Sequence, residues 1–319
     1  MPPTHATGAG TLSLELIHEA LAEACPAVVV RSVRPAASGY TSRQWLADTD
    51  EGFLLVKVPV RLPDPVHSRN MIAATRLAAE EGLPVIRFRG FTPVSAVTGG
   101  PVVVQEFVAG TRASDQWPDL AEPTRLRVAR ELGRWIATLH GHTADRFGEV
   151  LGTRQHTRWD SYLTDFLDRL LREIPENAIV GGRSRLEAVM AAGIAAVACG
   201  VRPALTHGDI WLDNVLLRSG RVHRILDFEH ARFLDPLYDF GKPDELVFER
   251  WPAGREAFLD GYVQVSSLPP DSDRRITLYR GFHYLFMLTW FARWQPELVP
   301  EYRERLALWA DEVTVSAEF

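Results

Sequence analysis

Within Leu205 to Asp239, LTHGDIWLDNVLLRSGRVHRILDFEHARFLDPLYD, a carboxylate at Asp209 precedes an amide at Asn214, and a further carboxylate follows at Asp227. The spacing of Asp209 and Asn214 matches no regular helix or strand, so the pair sits on a loop. Transfer of a phosphoryl group to a hydroxyl needs one carboxylate to take the proton of the attacking oxygen. It also needs a neutral oxygen donor that holds a divalent metal without adding charge. Asp209 suits the first task and Asn214 the second. Val215-Leu216-Leu217, a turn at Arg218-Ser219-Gly220, and Val222 to Leu226 read as a β-hairpin that brings Asp227 back toward Asn214. Asp227 is then the second magnesium ligand, because few protein groups suffice for an ion that also bridges phosphates. Glu229 lies within reach of a second ion.

The frame that must hold these groups is that of an ordinary globular protein. Of 319 residues, 46% are hydrophobic and 24% charged, enough for one large or two small domains. With 35 basic against 41 acidic residues the formal charge is −6, which argues against a nucleic-acid partner and tolerates a cationic substrate. Cys25 and Cys199 form neither a zinc pattern nor a disulfide framework, and both are expected to be buried. The N-terminus MPPTHATGAG has no signal-peptide character, and Ala188 to Val201 is too short to span a bilayer. A cytoplasmic location without a membrane partner is expected.

Apolar Leu14, Ile17, Leu21 and Ala24 repeat at helical spacing behind Ser13 as N-cap. From Val28 the chain turns β-branched, and Val28 to Val33, Gln44 to Ala47 and Phe53 to Val58 predict three antiparallel strands. Lys57 stands alone in the apolar strand Leu54-Leu55-Val56-Lys57-Val58; an ammonium there demands an anion unless the strand is an edge facing water. A helix over 68–81 follows, then strands at Ile86 to Phe91 and Val102 to Val108. Beyond Gly110 the pattern is helical, over Pro123 to His140, Arg158 to Ile174, Arg183 to Cys199, Arg255 to Val265, Asp273 to Ala292 and Glu301 to Val313. The only strands expected there flank the Asp209 loop. His140 and His207 read as structural hydrogen-bonders, and Asp239 as an N-cap or a buried acceptor bracing the loop.

The order HGDxxxxN, then DFE, then DPxxD resembles the aminoglycoside phosphotransferase and choline kinase family of small-molecule kinases. The resemblance implies an α+β, bilobal, protein-kinase-like fold, with an antiparallel-sheet N-terminal lobe over 1–109 and a mainly helical C-terminal lobe over 110–319. It implies ATP, with GTP not excluded, and magnesium as cofactors, and a hydroxylated small molecule as the acceptor. It matches Lys57 to the lysine that meets the nucleotide phosphates. It places a phosphate-covering hairpin at Ser38, Gly39 and Ser42, and a base-reading hinge at Glu106 and Val108. The acceptor is expected against Trp211, Asp213, Glu229, Trp159 and Tyr162, where aromatic rings and acids suit an aminated ligand, although Trp and Tyr on helices are more often core. One feature departs from the family. No glutamate stands near the start of the 68–81 helix to pair with Lys57, and Glu80 and Glu81 lie about 15 Å further along its axis. That departure keeps a nucleotide-binding regulatory protein of weak or no kinase activity as the alternative, and the sequence leaves the oligomeric state open.

Overall fold

The computed structural model describes residues 12–36, 39–152, 154–175 and 178–315. These divide into two compact units, one of 1–72 with 86–109 and the other of 73–85 with 110–319.

The first unit is built on a five-stranded antiparallel sheet in the order β1 (Val30–Pro35), β2 (Ser42–Thr49), β3 (Gly52–Pro59), β5 (Val102–Glu106), β4 (Phe88–Thr92). Helix α1 (Leu14–Ala24) begins where the Ser13 hydroxyl accepts the Leu16 amide, and so satisfies one of the donors a helix start leaves unpaired. Its Ile17 and Leu21 pack with Trp45, Leu54, Val56, Val102 and Val104 in one apolar cluster. Side chains alternate along a strand, so with Leu54, Val56 and Val58 in this cluster Lys57 takes the opposite face. Strand β3 lies between β2 and β5, with Lys57 opposite Gln44 and Val103. The edge-strand reading of Lys57 therefore fails, and the residue is only 9% exposed. Helix α2 (Pro65–Glu80) starts earlier than the periodicity indicates, because Pro65 presets a helical first turn. That turn carries no acid, and Asn70 is buried.

The second unit is mostly helical. After β6 (Thr111–Arg112) and the short α3 (Ala113–Gln116) come α4 (Glu122–Leu139), β7 (Phe147–Glu149), β8 (Gln155–His156), α5 (Trp159–Glu173) and α6 (Arg183–Ala196). Then follow β9 (Ala204–Thr206), the hairpin β10 (Val215–Arg218) and β11 (Arg221–Ile225), and β12 (Arg232–Leu234). Helices α7 (Gly241–Pro243), α8 (Pro252–Val263), α9 (Ser272–Trp294) and α10 (Val299–Val315) complete it. A Cβ on Gly133 would meet the Phe258 carbonyl oxygen at 2.0 Å, and one on Gly261 the Arg130 oxygen at 2.0 Å, so the two glycines let α4 and α8 pack backbone to backbone.

Two small sheets organise the segment that carries Asp209, Asn214 and Asp227. One is β11-β10-β6 and the other β8-β7-β12-β9. Strands β6, β7 and β8 go beyond the sequence reading, since two or three residues are too few to show an alternating pattern. Cys25 is buried as expected, but Cys199 lies exposed just past α6. Among the described residues no helix is long and apolar enough to cross a membrane.

Candidate active site

Strand β12 pairs antiparallel with β9, Arg232 opposite Thr206 and Leu234 opposite Ala204. The loop leaving β9 and the turn entering β12 therefore emerge at the same end and press together. Gly208 has φ +75°, and a Cβ there would meet the His230 carbonyl oxygen at 2.4 Å. Only glycine satisfies both conditions, which is the physical reason for the glycine in His207-Gly208-Asp209.

Asp239 fixes the loop from below. Its carboxylate accepts the His207 amide at 2.7 Å and the Gly208 amide at 2.6 Å. It also meets His140 Nε2 at 3.1 Å, while His140 Nδ1 lies 3.0 Å from the Tyr262 hydroxyl. Of the two roles read for Asp239, that of buried acceptor is the one realised. His207 is fully buried and holds the loop from the other side. Its Nε2 donates to the Leu226 carbonyl at 2.8 Å, and its Nδ1 accepts the Asp209 amide at 3.2 Å. A carbonyl can only accept and an amide can only donate, so the neutral Nε2–H tautomer is dictated and neither nitrogen is left for chemistry.

What this scaffold presents is the Asp209 carboxylate. Asn214, on the turn before β10, donates from Nδ2 to the Asp209 main-chain oxygen and to Oδ2, each at 2.8 Å. With Nδ2 so used, the remaining polar atom of Asn214 is Oδ1, an acceptor suited to a hard cation. Lys242 of α7 ion-pairs with Asp209 Oδ1 and lies over the Trp211 ring, 5.0 Å from its centroid. Burial pushes the Asp209 carboxyl up, but the charges of Lys242 and then His230 outweigh it and hold the group below the ordinary aspartate value. Asp209 is therefore ionised at neutral pH.

The β10–β11 hairpin returns the chain as its turn chemistry requires, with Ser219 and Gly220 both at positive φ. At its end Leu226 donates to the Asn214 carbonyl at 2.8 Å, so Asp227 follows one residue after a direct bond to the Asn214 backbone. Asp227 adopts the left-handed region, φ 65° and ψ 65°, a conformation Asp tolerates better than most side chains. Asp209 and Asn214 are thus in direct contact, with Asp227 adjoining. Among the described residues no group of three or more His, Cys, Asp or Glu side chains is placed to hold a metal. An amide and a carboxylate, leaving most of the shell to water and phosphate oxygens, fit magnesium better than a zinc-type cage.

Beside Asp209 opens a pocket. Its wall includes Asp209, Arg232, Lys242 and His283, but neither Asn214 nor Asp227. Trp159 and Tyr162 do not line it. They are 2% and 3% exposed and stack on each other with centroids 5.3 Å apart, and the Trp159 indole N–H donates to the Tyr279 hydroxyl at 2.8 Å. These two rings are helix core, the outcome that aromatic residues on an amphipathic helix most often have. Asp213 and Glu229 are half-buried and, like Trp211, lie outside the pocket wall. Lys242 and Arg232 went unread in the sequence. Lys242 contacts Asp209 across 33 residues, and no local spacing signals such a pair.

In the first unit Gly39 leaves its Cβ position within 2.3 Å of the Gln44 side-chain nitrogen, and the buried Ser42 hydroxyl accepts from Gln44 Nε2 at 3.3 Å. Ser38 falls outside the described residues. The Glu106 amide donates to the Arg87 carbonyl at 2.9 Å, and the Glu106 carboxylate accepts the Arg87 amide at 3.1 Å. Val108 comes two residues after β5 ends. Glu81 is tied to His142 at 3.1 Å.

Comparison with known proteins adds four similarities. The sequence profile described as "Phosphotransferase enzyme family" matches residues 32–275. The chain is 27% identical over 207 residues to a chloroplastic protein-ribulosamine 3-kinase of Arabidopsis thaliana, a match covering 59% of this chain and 56% of that protein, so it spans little more than half of that relative's length. The structure is similar to that of the aminoglycoside phosphotransferase APH(4)-Ia, with a TM-score of 0.71 at 15% identity over 94% of this chain and 99% of the other. It is also similar to the GDP and kanamycin complex of APH(2")-IIia, with a TM-score of 0.66 at 16% identity over 93% and 98%. These structural likenesses establish the protein-kinase-like α+β fold.

Proposed function

We propose that this chain, which belongs to the phosphotransferase enzyme family, transfers the γ-phosphoryl group of a nucleoside triphosphate to a hydroxyl of a small molecule. The observation that carries this reading is the Asp209 carboxylate, ionised, held by Asn214 on one oxygen, and set on a loop that Asp239 and His207 clamp from both sides. A general base needs that fixed placement more than it needs any special basicity.

In the step proposed, the acceptor oxygen bonds to the γ-phosphorus as the bond from that phosphorus to the β,γ-bridging oxygen breaks. The hydroxyl proton passes to Asp209, and the nucleoside diphosphate leaves with the bridging oxygen. Asn214 and Asp227 would hold magnesium, which supplies charge neutralisation for the β- and γ-phosphate oxygens. Lys57, on the central strand of its sheet, would meet the α- and β-phosphates, with Ser38, Gly39 and Ser42 as the covering hairpin. The Glu106 carbonyl and the Val108 amide would read the base. Such main-chain reading leaves ATP and GTP both admissible, and GDP is the nucleotide in one related complex. Residues 1–109 act in this reading as the nucleotide lobe and 110–319 as the catalytic and acceptor lobe. A purely regulatory role would leave the Asp209–Asn214 pairing without use.

The test is incubation with magnesium and ATP labelled at the γ-phosphate, against a panel of hydroxylated metabolites, alongside a thermal-shift titration with the nucleotide. Stabilisation by magnesium-ATP and a labelled acceptor are expected. A protein indifferent to both ATP and GTP would reject the reading.

A further inference from the structure

The pocket beside Asp209 carries a charge pattern that a polyamine acceptor does not suit. Its two acids are already engaged. Asp239 is used by two loop amides and His140, and Asp209 by Asn214 and Lys242. Against them stand the cations Lys242 and Arg232, with His230 and His283 also in the wall. His283 faces Glu245 at 2.9 Å, but among the described residues no carboxylate lies within ion-pair distance of the Arg232 guanidinium, which also makes no hydrogen bond there. Arg232 sits on β12, its backbone fixed opposite Thr206 and Glu149, so the guanidinium starts from a rigid strand. The Trp211 ring, which lies outside the pocket wall, already carries the protein's own Lys242.

We infer that the acceptor carries a carboxylate beside its reacting hydroxyl, bound by Arg232 and Lys242. This rests on the phosphotransfer reading above and specifies its substrate class. A carboxylate matches the planar fork of Arg232. It also offers Lys242 a second anion, which draws the ammonium from Asp209 Oδ1 and frees that oxygen to take the hydroxyl proton. An amine-bearing acceptor does the reverse. It meets two fixed cations and must expel Lys242 from Asp209 into a half-buried pocket with no counter-charge. The acceptor thus unlocks the base it needs, and an acceptor without the anion finds the base occupied.

The test uses two matched series of different size, glucuronate with glucose and glucosamine, and glycerate with glycerol and 2-amino-1,3-propanediol. Binding to the magnesium-ADP-loaded protein is measured by calorimetry, and transfer from γ-labelled ATP is measured separately. In at least one series the acid is expected to bind about 10–100-fold more tightly than the neutral member, as one or two charge-assisted hydrogen bonds would give, and the amine most weakly. Arg232→Met should bring acid and neutral member to within about twofold, while Arg232→Lys keeps part of the preference. Equal or tighter binding of the neutral or amine members, or no binding of either acid, would overturn the inference. Labelled amine with unlabelled acid would keep the phosphotransfer reading and sink this one. Tight acid binding that Arg232→Met abolishes, without label transfer to any member, would support the anion subsite and count against the transfer.

Discussion

Replacing Asp239 by Asn tests whether the loop that carries Asp209 is held as described. The carboxylate accepts the buried amides of His207 and Gly208 at 2.7 and 2.6 Å and faces His140 Nε2 at 3.1 Å. An asparagine keeps one accepting oxygen and turns an N–H₂ toward a second donor. One charge-assisted bond worth about 1.5–3 kcal/mol is lost, and a buried donor is stranded at about 1–3 kcal/mol, so destabilisation of roughly 3–5 kcal/mol is expected. At about 2–4 °C per kcal/mol for a unit of this size, the melting temperature should fall by roughly 6–20 °C. The released loop should also lower kcat by about 100-fold, because a displacement near 1 Å suffices for that loss. Differential scanning calorimetry and turnover of the acceptor identified by the labelled-ATP screen read the two effects. A melting temperature within about 2 °C of wild type, together with unchanged kcat, would refute the clamp.

Three further outcomes follow from the same geometry. Gly208→Ala combines positive φ with a Cβ 2.4 Å from the His230 oxygen, so thermal unfolding should show a loss of about 2–4 kcal/mol, and kcat should drop with little change in nucleotide affinity. In Lys242→Met the burial that raises the Asp209 carboxyl loses its main opponent, so the group protonates at higher pH and the acid limb of kcat/KM should move upward; in wild type that limb lies below the ordinary aspartate range, and an unmoved limb would contradict the pairing. Asp227→Asn should weaken ATP binding in magnesium by about tenfold or more while leaving metal-free nucleotide binding nearly unaltered, as calorimetry with and without EDTA would show.

The parts of the site that could be read from sequence are those whose chemistry is local. Asp209 and Asn214 announce themselves by types and spacing, and the hairpin that returns Asp227 is marked by Ser219-Gly220 between apolar runs. Lys57 is conspicuous because a lone cation in an apolar strand is costly. The unread parts are long-range. Lys242 sits in the apolar-looking run after Asp239, and nothing nearby shows that it folds onto Asp209 and Trp211. Arg232 looks like any strand arginine until its guanidinium is seen, among the described residues, to have no carboxylate within ion-pair distance, although Glu149 stands opposite it on β7. Trp159 and Tyr162 show that aromatic residues serve cores and binding sites alike, and helical periodicity does not separate the two. The short strands β6, β7 and β8 left no pattern, while α1 and the sheet of the first unit, carried by long alternating runs and a cap, were legible almost to their ends.

The whole account rests on Asp209 taking the acceptor proton. Its most direct test is Asp209→Asn, which keeps size and the Asn214 contact but removes the base, assayed for transfer from γ-labelled ATP and for magnesium-ATP affinity in the same preparation. The account predicts transfer reduced by about 100-fold or more, with affinity within a few-fold of wild type. Transfer at the wild-type rate would contradict it.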